Sequence, residues 1–199
     1  MRRRLMLLLL VALGGLWLVS RFAPQVERIE VLGNVHYSAS EIMALADIAP
    51  GDPLLWVNTW RLQRLVEDPW ISRVRVIRHW PDTLSLKVWE RTPAIVAGNT
   101  VMAIDGTVLP NVPEETKANL VVLSGWGPSR RDEALELVAL LEEFAPEVIS
   151  YSPGGFDVRH AKGWLYTPSI DLLKEHWGAF VSQQGGQVSV YPWGVSALP

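Results

Sequence analysis

The stretch "DPWISRVRVIRHWPDTLSLKVWERTPA", from Asp68 to Ala94, constrains this chain more than any other. It alternates with period two, the signature of half-buried strands. Val74 and Val76 share a face with Trp70, and Arg73 and Arg75 point the other way. Trp80, Pro81 and Asp82 supply turn chemistry. On the return, Leu84, Leu86 and Val88 face inward and Ser85 and Lys87 face outward. A two-stranded hairpin alone is marginal in water, so something must cover its apolar face.

The preceding residues provide that cover. Val26 to Leu32 alternate as a first strand, ended by Gly33 and Asn34. Ser38 with Glu41 three positions on is a capping box. It opens a helix whose Ile42, Leu45, Ala46 and Ala49 share a face, and Pro50-Gly51 is expected to stop it. "NTWRLQRLVEDP" predicts a second short helix. Asn58 or Thr59 would cap it, Leu62, Leu65 and Val66 would point one way, and Asp68-Pro69 would end it. The order is strand, helix, helix, strand, strand, with two apolar stripes available to pack on the hairpin.

Three arginines, Arg2, Arg3 and Arg4, precede an uncharged run from Leu5 to Ser20. Sixteen helical residues span about 24 Å, a little short of the roughly 30 Å hydrocarbon core. Arg21 can snorkel, and Ala23 can extend the helix, so a single-pass anchor is expected. A cleaved signal peptide is the alternative, disfavoured because no small-x-small cleavage site follows. Either reading puts the remainder outside the cytoplasm, and the arginines keep the N-terminus inside.

Three further blocks carry a family resemblance: "VERIEVLGNVHYSASEI", then "GDPLLWVN", then "PWISRVRVIRHWPDTLSLKVWERTPAIV". In this order, behind one N-terminal apolar run, they resemble a POTRA domain. More narrowly, they resemble the POTRA domain of the bacterial cell-division family FtsQ, also called DivIB. The resemblance implies an α+β chain in three parts. Residues 1–24 are a cytoplasmic tip and transmembrane helix, 25–93 a βααββ POTRA domain, and 94–199 a mixed or antiparallel β domain with two helices. It also implies a role. The β domain of the family captures the extracytoplasmic parts of FtsB and FtsL, two small single-pass division proteins, and the POTRA domain helps bring the protein to the septum. Carried over by position, the docking strand is Gly194, Val195, Ser196, Ala197 and Leu198, flanked by Tyr191 and Trp193. The family's acidic-apolar-basic triplet in the penultimate strand is replaced here by Ser189, Val190 and Tyr191.

The second half reads as strands around helices. "VMAIDGTVLP" is a strand-turn-strand with Asp105-Gly106 at its turn. "NLVVLSG", "EVISYS", "GFDVR" and "GWLYT" are strands, and "GQVSVYPWGVSALP" is strand, turn and strand. "SRRDEALELVALLEEFAPE" is an amphipathic helix with Ala134, Leu137, Val138, Leu141 and Phe144 on one side, ended by Pro146. "SIDLLKEHWGAFVSQQ" predicts one helix burying Leu173, Trp177, Phe180 and Val181.

Composition narrows the function classes. A net charge of −3 without a broad basic patch argues against nucleic acid. The absence of cysteine excludes thiol catalysis, thiolate metal sites and disulfides. His36, His79, His160 and His176 form no metal-binding motif, and Ser124 lacks the nucleophile elbow. No phosphate loop or dinucleotide fingerprint is present, so no cofactor or catalytic residue is expected. Ten tryptophans demand burial, an interface or a membrane surface; Trp193, in a turn near the end, suits an interface best. Binding through open strand edges is therefore the expected mode. Arg73 and Arg75 could meet an acidic partner or a membrane surface, or could simply guard a sheet edge with charge. A POTRA-bearing secretion or outer-membrane assembly factor is the alternative. It would need tandem copies or a long barrel, and only about 105 residues follow Pro93.

Overall fold

The computed structural model describes residues 6, 10–15, 17, 24–55, 57, 60–183 and 185–198. The expected anchor, Leu5 to Ser20, therefore lies largely outside the described residues; of it, 6, 10–15 and 17 are described and are helical. No helix among the described residues is long and apolar enough to cross a membrane. Trp56 and the expected caps Asn58 and Thr59 also lie outside the described residues. The chain divides into two compact units, Met1–Arg91 and Thr92–Pro199.

In the first unit, β1 (Arg28–Leu32) leads through α1 (Ala39–Ala46) and α2 (Gln63–Glu67) to the hairpin β2 (Ile71–His79) and β3 (Thr83–Glu90). The sheet order is β1-β3-β2, with β1 parallel and β2 antiparallel to the central β3. Ser38 caps α1: its hydroxyl accepts from the Glu41 N–H, and its own N–H donates to the Glu41 carboxylate. Ile42, Ala46, Leu62 and Leu65 join Ile71, Leu84, Leu86 and Val88 in one core, so the helices do cover the hairpin.

Four local expectations are corrected here. Helix α1 ends before Pro50: Asp47 turns left-handed at φ 53°, and its N–H and that of Ile48 return to Ala44 and Met43. That turn buries Ile48 and leaves Ala49 exposed. Helix α2 has only five residues, too short to bury a wide stripe, and Val66 is left 49% exposed. Ser85, read as outward, is 2% exposed because it sits on the central strand between Glu30 and Ile77, and its hydroxyl donates to Glu30 at 3.3 Å.

The loop between β1 and α1 is held by β3. The Glu90 carboxylate accepts backbone N–H groups from Val35, His36 and Tyr37 at 2.8, 2.5 and 3.2 Å. His36 stacks on buried Trp70 at 3.6 Å between centroids. Burial, then the hydrogen bond to Asp68, push the Tyr37 hydroxyl up to about 12.

The second unit is one mixed sheet of nine strands: β4 (Pro93–Ala97), β5 (Thr100–Ala103), β6 (Val108–Leu109), β7 (Val121–Gly125), β8 (Pro146–Ser152), β9 (Gly155–His160), β10 (Gly163–Thr167), β11 (Gly186–Tyr191) and β12 (Gly194–Leu198). Their order is β12-β11-β10-β9-β8-β7-β4-β5-β6. One face is covered by helices. Residues of α4 (Arg131–Leu140), α5 (Ile170–Glu175) and α6 (Trp177–Ser182) pack with Ile95, Ile149, Phe156, Val158 and Leu165.

The expected pair of helices needs correction. A four-residue helix α3 (Glu114–Lys117) precedes β7, with Glu114 and Glu115 in its first turn. The helix read up to Pro146 ends at Leu140 and continues as a short 3-10 turn, Glu142–Phe144; Pro146 begins β8 instead. The helix read from Ser169 onward is broken at His176 into α5 and α6. The apolar stripes survive both breaks, since Ala134, Leu137, Leu141, Phe144, Leu173 and Phe180 are all buried.

Candidate docking edge

Strand β12 borders the nine-stranded sheet and, among the described residues, pairs only with β11. The register is antiparallel: Val190 opposes Val195, Ser189 opposes Ser196, Val188 opposes Ala197 and Gln187 opposes Leu198. Residues opposed across strands share a face. Val188 and Val190 are core residues, so Val195 and Ala197 look toward the helix layer, and Val195 packs on the core there. Gly194, Ser196 and Leu198 therefore look toward the other face. The strand holds no charged side chain and no bulge, so nothing in it discourages a further strand from pairing at this border.

The turn into β12 presents aromatic surface. Tyr191 and Trp193 are stacked with centroids 5.0 Å apart and planes 2° from parallel. Trp193 is 82% exposed. The ring of Tyr166 on β10 lies 6.3 Å from that of Tyr191, tilted at 49°, so aromatic surface extends inward along the sheet. The seven residues expected from the sequence, Tyr191 and Trp193 to Leu198, are thus brought to one border.

Sequence reasoning missed what lies beside it. Trp164 of β10 is 53% exposed and shares the outward face with Leu198, exposed to 61%, through the register Trp164–Gln187–Leu198. The alternation of "GWLYT" carried that signal, since Leu165 and Thr167 are buried and Trp164 must then point away. Beneath the sheet, His160 is 4% exposed, its Nδ1 accepts from the Lys162 N–H, and its Nε2 has no hydrogen-bond partner among the described residues. It lies against the rings of Phe144 and Phe180, and burial with Lys162 nearby lowers its proton affinity.

The two glycines that open β10 and β11 make the neighbouring ladder possible. Gly163 opposes Gly186, its φ is +153°, and a Cβ there would stand 2.0 Å from the Gly186 carbonyl oxygen. Only glycine at position 163 allows that approach.

Arg73 and Arg75 stand elsewhere, on the exposed side of β2 in the first unit. The Arg73 guanidinium lies 4.6 Å from the centre of the Trp89 ring. The expected residues thus fall on one surface in the first unit and one in the second. Among the described residues no group of three or more histidines and carboxylates could hold a metal ion.

The first unit is a POTRA domain: residues 25–91 match the model of the "POTRA domain, FtsQ-type". Relatives extend the match into the second unit. The chain is 42% identical over 155 residues to the cell division protein FtsQ of Geobacter sp. (strain M21), covering 72% of this chain and 57% of that one. It is 35% identical over 129 residues to FtsQ of Syntrophotalea carbinolica, covering 58% and 46%. It is 36% identical over 105 residues to FtsQ of Streptomyces coelicolor, covering 49% and 39%. The aligned part spans about half the length of these curated relatives. The chain belongs to the FtsQ/DivIB family of cell-division proteins.

Proposed function

We propose that this chain is a non-enzymatic scaffold of the division machinery, held in the cytoplasmic membrane by a single helix from Leu5 to Ser20. Its N-terminus lies in the cytoplasm, its bulk lies outside, and it works at the septum. It captures small single-pass division proteins of the FtsB and FtsL type by strand addition at β12. One observation carries the reading: β12 is an uncharged border strand, paired on one side only among the described residues, beside an exposed Tyr191–Trp193 stack.

An incoming strand gains backbone hydrogen bonds at this border, each contributing about 1 kcal/mol net. Aromatic area at Trp193 adds affinity at little entropic cost. Ser196 and Ala197 are small and let a second backbone approach. Proline at Val195 or Ala197 removes one backbone donor from β12. Capture of purified FtsB and FtsL partners should weaken by about tenfold or more. The first unit should keep its fold, as read by hydrogen exchange. Unchanged capture by both proline variants would rule out this border as the site. Carbonate washing tests the anchor: the protein should stay with the membrane, with its N-terminal arginines intact.

A further inference from the structure

We propose that the helix-free face of the POTRA sheet rests on the headgroups of anionic phospholipids. This rests on the anchor reading above, which puts a bilayer close by. Seven residues separate Ser20 from Arg28, a reach of at most about 25 Å.

The face is defined by register. Arg75 opposes Lys87, which opposes Leu32; Arg73 opposes Trp89; Arg28 opposes Thr83. Arg28, Arg73, Arg75 and Lys87 thus lie on one side of the sheet. The opposite residues Val31, Val74, Val76 and Leu86 pack under the helices. Arg73 and Lys87 hold the Trp89 ring between them, with their charges 4.6 and 5.1 Å from its centre. None of the four cations forms an ion pair among the described residues. Three other cations of this unit are engaged: Arg61 pairs with Asp52, and Arg78 and Arg91 donate to backbone carbonyls. Glu30 is the one carboxylate in these register rows, beside Ser85.

Edge protection accounts for charge on β2 but not for Lys87, which stands on the central strand and guards no border. The cations spread over all three strands, so a flat anionic surface meets all four. A peptide pairing along β2 would meet two. Leu32, Ile77 and Trp80 are 49%, 38% and 64% exposed around them. Basic residues interspersed with exposed aliphatics and tryptophan are the chemistry of a membrane interface.

The chain has no cysteine, so Ile77→Cys gives one labelling site on this face. The labelled full-length protein is placed in nanodiscs of phosphatidylcholine alone, or with roughly 30% phosphatidylglycerol to supply surface charge. A quencher carried on the lipid headgroups reads proximity. Quenching should rise by about threefold or more with the anionic lipid and fall back in high salt, where exposed charges are screened. It should also fall back in an Arg73→Glu/Arg75→Glu/Lys87→Glu variant whose circular dichroism is unchanged. Equal quenching in neutral and anionic discs, or no response to charge reversal, overturns the proposal. Salt-sensitive binding of polyglutamate by the unmodified face, without lipid dependence, overturns it in favour of an acidic polypeptide. If the protein enters neither disc, the anchor reading fails instead. Flotation with phosphatidylglycerol vesicles then decides the sheet face alone: flotation abolished by charge reversal upholds it, and no flotation overturns it.

Discussion

Strand β2 borders the three-stranded sheet and β12 borders the nine-stranded one. Over nine residues β2 carries Arg73, Arg75, Arg78 and His79, and its register slips between Ile71 and Arg73. Over five residues β12 carries glycine, valine, serine, alanine and leucine, in unbroken register with β11. Charge and bulges are the devices by which proteins keep a border strand from pairing with another chain. The molecule uses both on β2 and neither on β12. The two border strands thus differ in both charge and register, β2 guarded against a further strand and β12 not.

The largest effect should come from removing the platform beneath β12. Gly163→Ala drives a Cβ into the Gly186 carbonyl and strains a positive φ. The expected loss is about 2–3 kcal/mol, a fall on the order of 10 °C in the melting of the second unit. Partner capture should be lost with it, because β11 and β12 lie beyond that pairing. Calorimetry and pulldown on the same sample check both halves.

Next comes the conversion of β12 into a guarded border. Ser196→Lys places a charge on an exposed position opposite Ser189. Capture should weaken about tenfold while stability changes by no more than about 0.5 kcal/mol. If capture is unaffected, the contrast between the two borders does not govern binding.

Acid should separate the two units. His160 is held below the ordinary histidine value by burial, so the unfolded chain binds its proton more readily than the folded one. Its neutral form is therefore compatible with the fold above about pH 6.5, and stability declines as pH falls from there through the lowered value. The slope is at most about 1.4 kcal/mol per pH unit. In the first unit, Glu41 is held below its ordinary value by its hydrogen bonds to Ser38. That contribution is present above the ordinary carboxylate range and is lost as pH falls through the lowered value. Hydrogen exchange at pH 7 and pH 5.5 should show β9 loosening before α1. His160→Gln should flatten the dependence in the second unit alone.

The smallest effect is the converse of the lysine test. Arg73→Ser with Arg75→Ser strips charge from β2 and leaves its bulge. Weak self-association should appear in sedimentation at high protein concentration, worth only tenths of a kcal/mol per charge. A fully monomeric variant would assign the guarding of β2 to the bulge.

Much of the first unit was legible because its signals are local. The Ser38–Glu41 box, the two-residue alternation from Val74 to Val88 and the spacing of Ile42 and Ala46 each act within a few residues. Errors arose where long-range packing overrides them. Ser85 is polar and sits where alternation reads outward, yet neighbours on both sides of a central strand bury it. His176 falls inside an unbroken apolar stripe, and nothing in that stripe marks a helix break. The order of nine strands, with β4 beside β7 and β10 parallel to β11, depends on contacts between residues far apart in sequence, so periodicity could not give it. The candidate border was reached by family resemblance. The residues themselves account for why it is open: β12 carries no charge and, among the described residues, has no neighbour on its far side.

The parallel pairing of β1 with β3 has a mechanical consequence. Within this unit β1 comes first and β3 last, and the two strands lie side by side pointing the same way. Tension between those two ends drags the strands past each other along their length. All five pairs from Arg28–Thr83 to Leu32–Lys87 then bear load together. Rupture in shear needs many bonds to fail at once, so pulling on this unit end to end meets far more resistance than peeling β2 away from its free border.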